Sequence, residues 1–326
     1  MSGSISVVYR LSSVISVIQG ILLLDLAVSK THTPSSPTQH MPPPSIALIL
    51  AEAARKLTEA GVDTPHLDAE LLLAHSLGVQ RTWLMAHPEH LLSSAQEEHF
   101  RELLARRQQR EPLAYITGRR WFYDFELLVT PDVLIPRPET EGLVERALRW
   151  LRQHPQATVA DIGTGSGAIA LAIARHAAPG VHIFATDVSK PALNVARENA
   201  RRLGLSTRLH FRHGDLLAAL PHPVDLILAN LPYVARDDAA NLMPEVGVFE
   251  PQQALFSGPT GLNHIRRLLA QAADFLQPQG AILLEIGWNQ GDEVVGMARQ
   301  HFPTAHIHLH KDLSGNDRIL EVNTAL

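Results

Sequence analysis

From Thr158 onward, short β-prone runs alternate with stretches of helical character such as Pro191–Leu203 and Gly261–Phe275. The β-prone runs of this part of the chain are Thr158–Ile162, His182–Thr186, Arg208–His213, Val224–Ala229 and Ala281–Ile286. The alternation predicts an α/β fold with a mainly parallel sheet covered by helices on both faces. His306–His310 and Arg318–Val322 follow without a clear helix between them, which predicts a closing antiparallel hairpin.

A glycine-rich segment, Asp161–Gly167, follows the first of these strands and opens a helix. Glycines let the backbone turn sharply there and let a ligand approach closely. In an open parallel sheet this is where ligands bind, beyond the carboxyl end of the strand. Because Gly163, Gly165 and Ala168 also match the dinucleotide pattern G-x-G-x-x-G/A, the segment alone leaves both a dinucleotide and S-adenosylmethionine open.

Acidic residues favour S-adenosylmethionine over a dinucleotide. Asp161, directly before the glycines, suits a cationic ligand and would repel a pyrophosphate at the helix start. Asp187 ends the second strand, where it can hold ribose hydroxyls. Asp215 can accept a hydrogen bond from an adenine amino group while Leu216 packs on the ring, although a turn or cap role for Asp215 is an equal alternative. The predicted cofactor-binding residues are Gly163, Thr164, Gly165, Ser166, Gly167, Asp187, Asp215, Leu216 and Asn230.

The loop Asn230–Tyr233 ends the fourth strand and is expected to face the methyl group of the cofactor. A planar amide or aromatic amine nitrogen is a poor nucleophile, and its N–H groups need fixed acceptors. The side-chain oxygen of Asn230 and the backbone carbonyl of Leu231 can accept them. Pro232 fixes the turn, and Tyr233 offers a flat face for stacking. The loop therefore predicts methyl transfer to a planar nitrogen, with Asn230, Pro232 and Tyr233 as catalytic residues and all four residues in contact with the substrate.

The amino-terminal residues 1–44 differ from the rest of the chain. Arg10 precedes an apolar run, Leu11–Leu24, which is shorter than the roughly 20 residues of a membrane span and resembles a weak signal-peptide core. A Pro-, Ser- and Thr-rich stretch from Thr31 to Ser45 reads as a linker. Since everything after Met41 reads as a complete enzyme, we expect residues 1–44 to be a disordered extension or a start-site artefact.

Three further segments complete the predicted organisation. Residues 45–111 are expected to form a helical substrate-recognition domain, because apolar residues from Ile46 to Leu57 follow helical spacing and Ser94–Glu97 matches a capping box. Residues 112–141 are expected to form a β-hairpin linker, since Trp121–Val129 is aromatic and β-prone. Residues 142–326 are expected to form the methyltransferase domain.

The sequence resembles the PrmC/HemK family, protein-(glutamine-N5) methyltransferases that modify peptide chain release factors. The resemblance covers nearly everything from Met41 to the end, through the segments Asp68–His75, Glu111–Gly118, Leu134–Glu141, Phe249–Pro251, Leu284–Gly287 and Asp312–Gly315. It implies a Rossmann-like class I methyltransferase fold, S-adenosylmethionine as methyl donor, and methylation of the glutamine amide in the Gly-Gly-Gln motif of release factors. Gly163–Gly167 and Asp187 would then bind the cofactor, and Asn230–Tyr233 the glutamine. The family's usual loop is Asn-Pro-Pro-Tyr, from which Leu231 departs, but a backbone acceptor tolerates leucine.

Two other substrates stay open: a ribosomal protein modified on glutamine, and adenine N6 in DNA, which shares the loop logic. The formal net charge of −5 argues mildly against DNA, which usually needs a basic footprint. The absence of cysteine excludes disulfides and thiolate metal sites, and the alternating histidines 306, 308 and 310 are read as a solvated strand face, so no metal is predicted. We expect a cytoplasmic enzyme whose partners are release factors, without direct nucleic-acid or membrane contact.

Overall fold

The computed structural model describes residues 43–325, which belong to one compact unit. The expectations for residues 1–42 lie outside the described residues. The strands are β1 (Arg119–Phe122), β2 (Phe125–Leu128), β3 (Thr158–Ile162), β4 (His182–Asp187), β5 (Leu209–His213), β6 (Val224–Ala229), β7 (Leu276–Glu285), β8 (His306–Lys311) and β9 (Asp317–Asn323). Seven of them form one sheet in the order β5-β4-β3-β6-β7-β9-β8, while β1 and β2 form a separate antiparallel hairpin.

The helices fall into an amino-terminal group and a group that surrounds the large sheet. The first group is α1 (Ile46–Glu59), α2 (Pro65–Leu77), α3 (Arg81–Ala86), α4 (Ser94–Gln108) and α5 (Leu113–Thr117). The second is α6 (Glu141–Leu151), α7 (Ala168–His176), α8 (Lys190–Arg202), α9 (Pro244–Gly247), α10 (Gln252–Leu255), α11 (Asn263–Phe275) and α12 (Gly291–His301). Among these described helices, none combines the length and apolar character that crossing a membrane requires.

The large sheet confirms the predicted fold class. Its first five strands in spatial order, β5 to β7, run parallel, and β9 and β8 close it as an antiparallel hairpin. Successive strand residues face opposite sides, so Val159 packs in one apolar cluster with α6 and α7 while Ala160 packs in the other with α11 and α12. Both faces are therefore covered, which explains the near-continuous apolar runs in the parallel strands.

Several element boundaries differ from the sequence analysis, most of them by one or two residues, and two differences have a structural reason. β7 begins at Leu276 rather than Ala281, because the register shift between Val224 and Leu226 lets β7 continue through Pro278 and Gly280. The capping box of α4 uses Ser93 and Gln96, one residue before the expected pair, since both registers match the spacing and Ser93 is the residue with extended backbone.

The amino-terminal helices enclose an apolar cluster of their own, built around Leu57, Leu72 and Phe100. The β1–β2 hairpin instead contributes Phe122, Phe125 and Leu127 to the cluster on one face of the large sheet. The division into helical domain, linker and methyltransferase domain stays a prediction. It would require a separate core for the amino-terminal helices and a hairpin packed on the large sheet, and both are present.

Candidate active site

A cleft opens at the carboxyl ends of β3, β4 and β6, where the glycine loop and the Asn230 loop meet. Ten of the residues predicted from the sequence line it: Gly163, Thr164, Gly165, Ser166, Asp187, Asp215, Leu216, Asn230, Leu231 and Pro232. Gly167 and Tyr233 are not among its lining residues. The parallel register explains the assembly, because Ile162 of β3 pairs with both Thr186 of β4 and Ala229 of β6.

The glycine loop is held against β4 by its own backbone. The N–H groups of Gly163 and Thr164 both donate to the carbonyl of Thr186, at 2.9 and 2.8 Å. Gly163 has a φ of 74°, and a Cβ there would lie 3.1 Å from Leu231 Cδ2, so a side chain would be strained and would press on the neighbouring loop. The bare backbone of Gly163 therefore lets the glycine loop and the Asn230 loop approach each other at the cleft.

Asp161 holds the loop and does not line the cleft. Its side chain is fully buried, and its Oδ2 accepts hydrogen bonds from the Thr164 hydroxyl at 2.7 Å and the Ala170 N–H at 3.1 Å. Burial raises its pKa to about 7, against the lowering effect of these two hydrogen bonds. The expectation that Asp161 selects a cationic ligand directly is therefore corrected: its carboxyl fixes the turn on which the ligand would rest.

Asp187 and Asp215 both follow the glycine loop in the sequence, and their carboxylates have different partners. Asp187 accepts from the Gly165 N–H at 2.9 Å and the Ser189 N–H at 2.8 Å, and burial raises its pKa. Asp215 is exposed and its carboxylate forms an ion pair with Arg267 of α11. Asp215 also occupies the N-cap position of the short 3-10 helix Leu216–Ala219, without a capping hydrogen bond from its side chain, and both carboxylates border the cleft.

Asn230 is half-buried at the end of β6, and its Nδ2 donates to the hydroxyl of Thr140 at 3.1 Å. With the nitrogen end of the amide committed to Thr140, the oxygen end is the part left to accept hydrogen bonds at the cleft. This matches the acceptor that the sequence analysis required for a planar nitrogen.

Gly167 and Tyr233 have positions other than the expected ones. Gly167 has a φ of 86°, and a Cβ there would meet Leu171 and Ala196, so this glycine allows close packing inside the fold. Tyr233 packs partly buried against the apolar cluster that holds Leu231, and burial raises its pKa to about 12. Its backbone carbonyl accepts a hydrogen bond from Gln290 at 2.9 Å, which fixes the end of the loop.

The segment after the loop is tied to the amino-terminal helices by an ion-pair cluster, here called the Glu245 cluster. Glu245 accepts from Arg110 through both carboxylate oxygens at 2.6 Å and from Arg107 at 2.9 Å. Arg107 also donates to Asp68 at 2.7 Å. The cluster is almost wholly buried, so the amino-terminal helices and the segment that follows the Asn230 loop share one set of charges.

The sequence analysis missed three residues at or beside the cleft. Thr140 and His264 line it, and His264 accepts or donates at Nδ1 to the buried Ser257 hydroxyl at 2.6 Å. Glu285 lies directly behind Asn230 at the end of β7. Thr140 and Glu285 lie in segments that had been noted only for their family resemblance, and nothing in their local pattern indicated a role at the cleft.

Known protein families match this chain in two segments. A family model described as the PrmC N-terminal domain matches residues 49–118, and one described as a methyltransferase domain matches residues 153–311. The release factor glutamine methyltransferase of Cereibacter sphaeroides is 42% identical over 271 residues, covering 83% of this chain and 95% of that protein. The chain belongs to the release factor glutamine methyltransferase family.

Other relatives agree with this family assignment. The release factor glutamine methyltransferase of Bordetella pertussis is 43% identical and covers 78% of this chain and 93% of that protein. Among solved structures, the release factor-specific protein-(glutamine-N5) methyltransferase of Alicyclobacillus acidocaldarius is 32% identical, with a TM-score of 0.37, over 61% of this chain and 99% of that one. The curated relatives and the methyltransferase-domain model together make the chain an S-adenosylmethionine-dependent protein glutamine methyltransferase.

The cleft fits S-adenosylmethionine as the methyl donor of this family. Asp187 offers a half-buried carboxylate suited to ribose hydroxyls, and Leu216 and Val188 offer apolar surface suited to an adenine ring. A Cβ at Gly163 would fill part of the cradle between the two loops.

Proposed function

We propose that this enzyme methylates the side-chain amide nitrogen of the glutamine in the Gly-Gly-Gln motif of peptide chain release factors. The observation that carries the proposal is the Asn230 amide, which lies in the same cleft as the glycine loop, is held by Thr140 through its nitrogen, and accepts no hydrogen bond at its oxygen from residues 43–325. The family membership, with relatives that bear the name release factor glutamine methyltransferase, supports the substrate.

Asn230, Leu231, Pro232 and Tyr233 bind the glutamine in this proposal. Asn230 Oδ1 and the carbonyl of Leu231 accept the two amide N–H groups, which favours a pyramidal nitrogen and the positive charge that develops on it. Pro232 fixes the turn, and Tyr233 supports the loop from its buried side, with stacking on the glutamine as its second proposed role. S-adenosylmethionine, when bound, would supply the electrophilic methyl group: the N–C bond would form as the S–C bond breaks with its electron pair left on sulfur, and the N–H proton would pass to solvent.

Cofactor binding is assigned to Gly163–Ser166, Asp187, Asp215, Leu216 and Asn230, with Gly167 supporting the loop from inside. Residues 45–111 and 112–141 are proposed as substrate-recognition domain and linker. The Glu245 cluster supports this assignment, because it joins the helices of the first segment to the chain that follows the reacting loop.

The decisive experiment supplies the purified enzyme with methyl-labelled S-adenosylmethionine and a release factor. We expect label on the wild-type factor and none on a factor carrying Gln→Ala in the Gly-Gly-Gln motif. Equal labelling of both factors contradicts the substrate assignment, and labelling of a ribosomal protein mixture in place of the factor would redirect it.

A second experiment tests the Asn230 assignment. Asn230→Ala should lower kcat by at least about 100-fold, because removal of one fixed hydrogen-bonding group at a developing charge has effects of that order. The Kd of S-adenosylmethionine, measured by calorimetry, should change far less. Unchanged turnover would remove the amide-acceptor role.

A further inference from the structure

Glu285 is a buried carboxyl for which the proposed mechanism has no use. It ends β7, next to β6, and the register pairs Ala229 with Leu284, so Asn230 and Glu285 follow at the same edge of the sheet. The side chain is 1% exposed, and its Oε2 has no hydrogen-bond partner among the described residues. A buried acceptor left unpartnered beside a reacting loop is costly, so its retention calls for a specific role.

The groups around Glu285 define its charge state. Burial raises its pKa to about 7, while the neighbouring polar hydrogens of Thr140 and Asn230 favour the ionised form. Arg318 from β9 also favours ionisation and Glu139 from the turn before α6 opposes it. Tyr233, the remaining ionisable neighbour, has its own pKa raised by burial and by the charge of Glu285. Arg318 is itself engaged, since it donates to Asp312 and to the carbonyl of Ile286.

The chemistry of these neighbours dictates the orientation of the Asn230 amide. A carboxylate only accepts hydrogen bonds, and the Thr140 hydroxyl already accepts from Asn230 Nδ2. A flipped amide would turn its oxygen toward the carboxylate, where two acceptors repel. With Glu285 ionised, the favoured orientation of the amide keeps its nitrogen on Thr140 and on the side of Glu285, and its oxygen toward the cleft.

We propose that Glu285 is a positioning residue for methyl transfer, whose carboxylate holds the Asn230 amide with Oδ1 in the cleft and sets a negative charge behind the nitrogen being methylated. The inference rests on the proposed function, because it needs Asn230 as the acceptor of the substrate N–H. The charge acts across the Asn230 amide on the positive charge that develops during transfer, and the burial of Glu285 keeps screening of that charge by water weak.

The test compares kcat of the wild type, Glu285→Gln and Glu285→Asp between pH 6 and 8.5, together with the Kd of S-adenosylmethionine. Gln keeps the shape but loses the charge and tolerates a flipped amide, so its kcat at pH 8 should fall about 10- to 100-fold. The ratio of wild type to Glu285→Gln should shrink toward pH 6, where the wild-type carboxyl is protonated. The Kd should stay within about threefold, and Glu285→Asp should recover part of the rate at pH 8.

Glu321→Gln is the matched control, because it makes the same change on β9, where Glu321 pairs with His310 and lies opposite Leu283. Its kcat should stay within about twofold of the wild type at each pH. The proposal is overturned if Glu285→Gln keeps kcat within threefold at pH 8, if its loss is the same at every pH, or if the loss lies in cofactor binding. If Glu285→Gln fails to fold, as judged by circular dichroism, Glu285→Asp decides: a rate equal to that of wild type at pH 6 and pH 8.5 overturns the proposal. A wild type that methylates no glutamine refutes the proposed function instead, so the two failures are distinguishable.

Discussion

The Glu245 cluster offers a quantitative test of how the amino-terminal helices are coupled to the reacting part of the enzyme. The perturbation is Glu245→Gln, which removes the charge shared by Arg107 and Arg110 without removing the side chain's volume. The side chains of Arg107, Glu245 and Arg110 are only 7%, 13% and 19% exposed. Breaking a buried ion pair by removing one partner typically costs about 3–5 kcal/mol, because a buried charge is left uncompensated.

Two features reduce that figure for Glu245→Gln. Arg107 keeps Asp68 as a partner at 2.7 Å, and the glutamine oxygen still accepts one hydrogen bond. We therefore expect a loss of about 2 kcal/mol in the free energy of unfolding. With a urea m-value of about 2 kcal/mol/M, the unfolding midpoint followed by circular dichroism should fall by about 1 M.

The pH dependence of stability tests independently whether the charge of Glu245 stabilises the fold. Burial opposes ionisation of Glu245, but hydrogen bonds from Arg110, its own backbone N–H and Arg107 outweigh it and lower its pKa below the usual 4.5. A lowered carboxyl pKa adds stability that is present above the unfolded value and is lost as the pH falls through the folded value. The gap between wild type and Glu245→Gln should thus be full at pH 7 and narrow below about pH 4.5.

The matched control is Arg106→Gln. The Arg106–Glu111 ion pair lies at the same end of α4 as the Glu245 cluster, but the side chain of Arg106 is 44% exposed. An exposed pair is worth at most about 1 kcal/mol, so this variant should lose much less stability. If Glu245→Gln loses no more than Arg106→Gln, the cluster does not couple the two parts and the reasoning from burial is wrong.

Three further variants test the loops and the buried carboxyl. Gly261→Ala should lower kcat about 10- to 100-fold with little change in the Kd of the cofactor. Gly261 has a φ of 78°, and a Cβ there would collide with the backbone carbonyl of Tyr233. A kcat equal to that of the wild type would contradict this. Glu285→Gln should be more stable than the wild type by up to about 3 kcal/mol, a difference that grows from pH 5 to pH 8. The reason is the raised pKa of Glu285, about 7, which makes the wild type lose stability as the pH rises through that value. A difference in urea unfolding that stays constant with pH would contradict this. Leu231→Ala should cost about 2–4 kcal/mol in urea unfolding, as for other buried leucines; a loss below 1 kcal/mol would show that the leucine is not packed as described.

The sequence predicted those parts of the site that depend on local pattern. The glycines 163 and 165 and the residues that end β3, β4 and β6 could be placed at one edge, because parallel strands bring their carboxyl ends together. Asp161 shows the limit of such reasoning: its carboxylate was expected to favour a cationic ligand directly, but its burial, and hence its role in the turn, depends on α7 packing over it.

Several of the contacts that the sequence did not indicate span long sequence separations. Thr140 reaches Asn230 from 90 residues away, and Glu245 reaches Arg110 across 135. The position of Glu285 beside Asn230 follows from the strand register, which pairs Leu284 with Ala229. A lone threonine or glutamate in a motif has no periodicity that indicates such a partner, so these contacts require the tertiary structure.

Leu231 stands where the family's usual Asn-Pro-Pro-Tyr loop has its first proline. A proline at position 231 would stiffen the loop by restricting the unfolded chain, a gain of about 0.4–1 kcal/mol. Leu231 is instead 4% exposed, packs in the cluster with Ile162 and Ile286, and faces Gly163 through Cδ2. Burial of a leucine side chain is worth about 1.5–3 kcal/mol, so packing supplies at least as much restraint as the ring would. The backbone carbonyl of Leu231 is therefore held by contacts with the glycine loop itself, which links the geometry of the proposed substrate acceptor to that of the cofactor cradle.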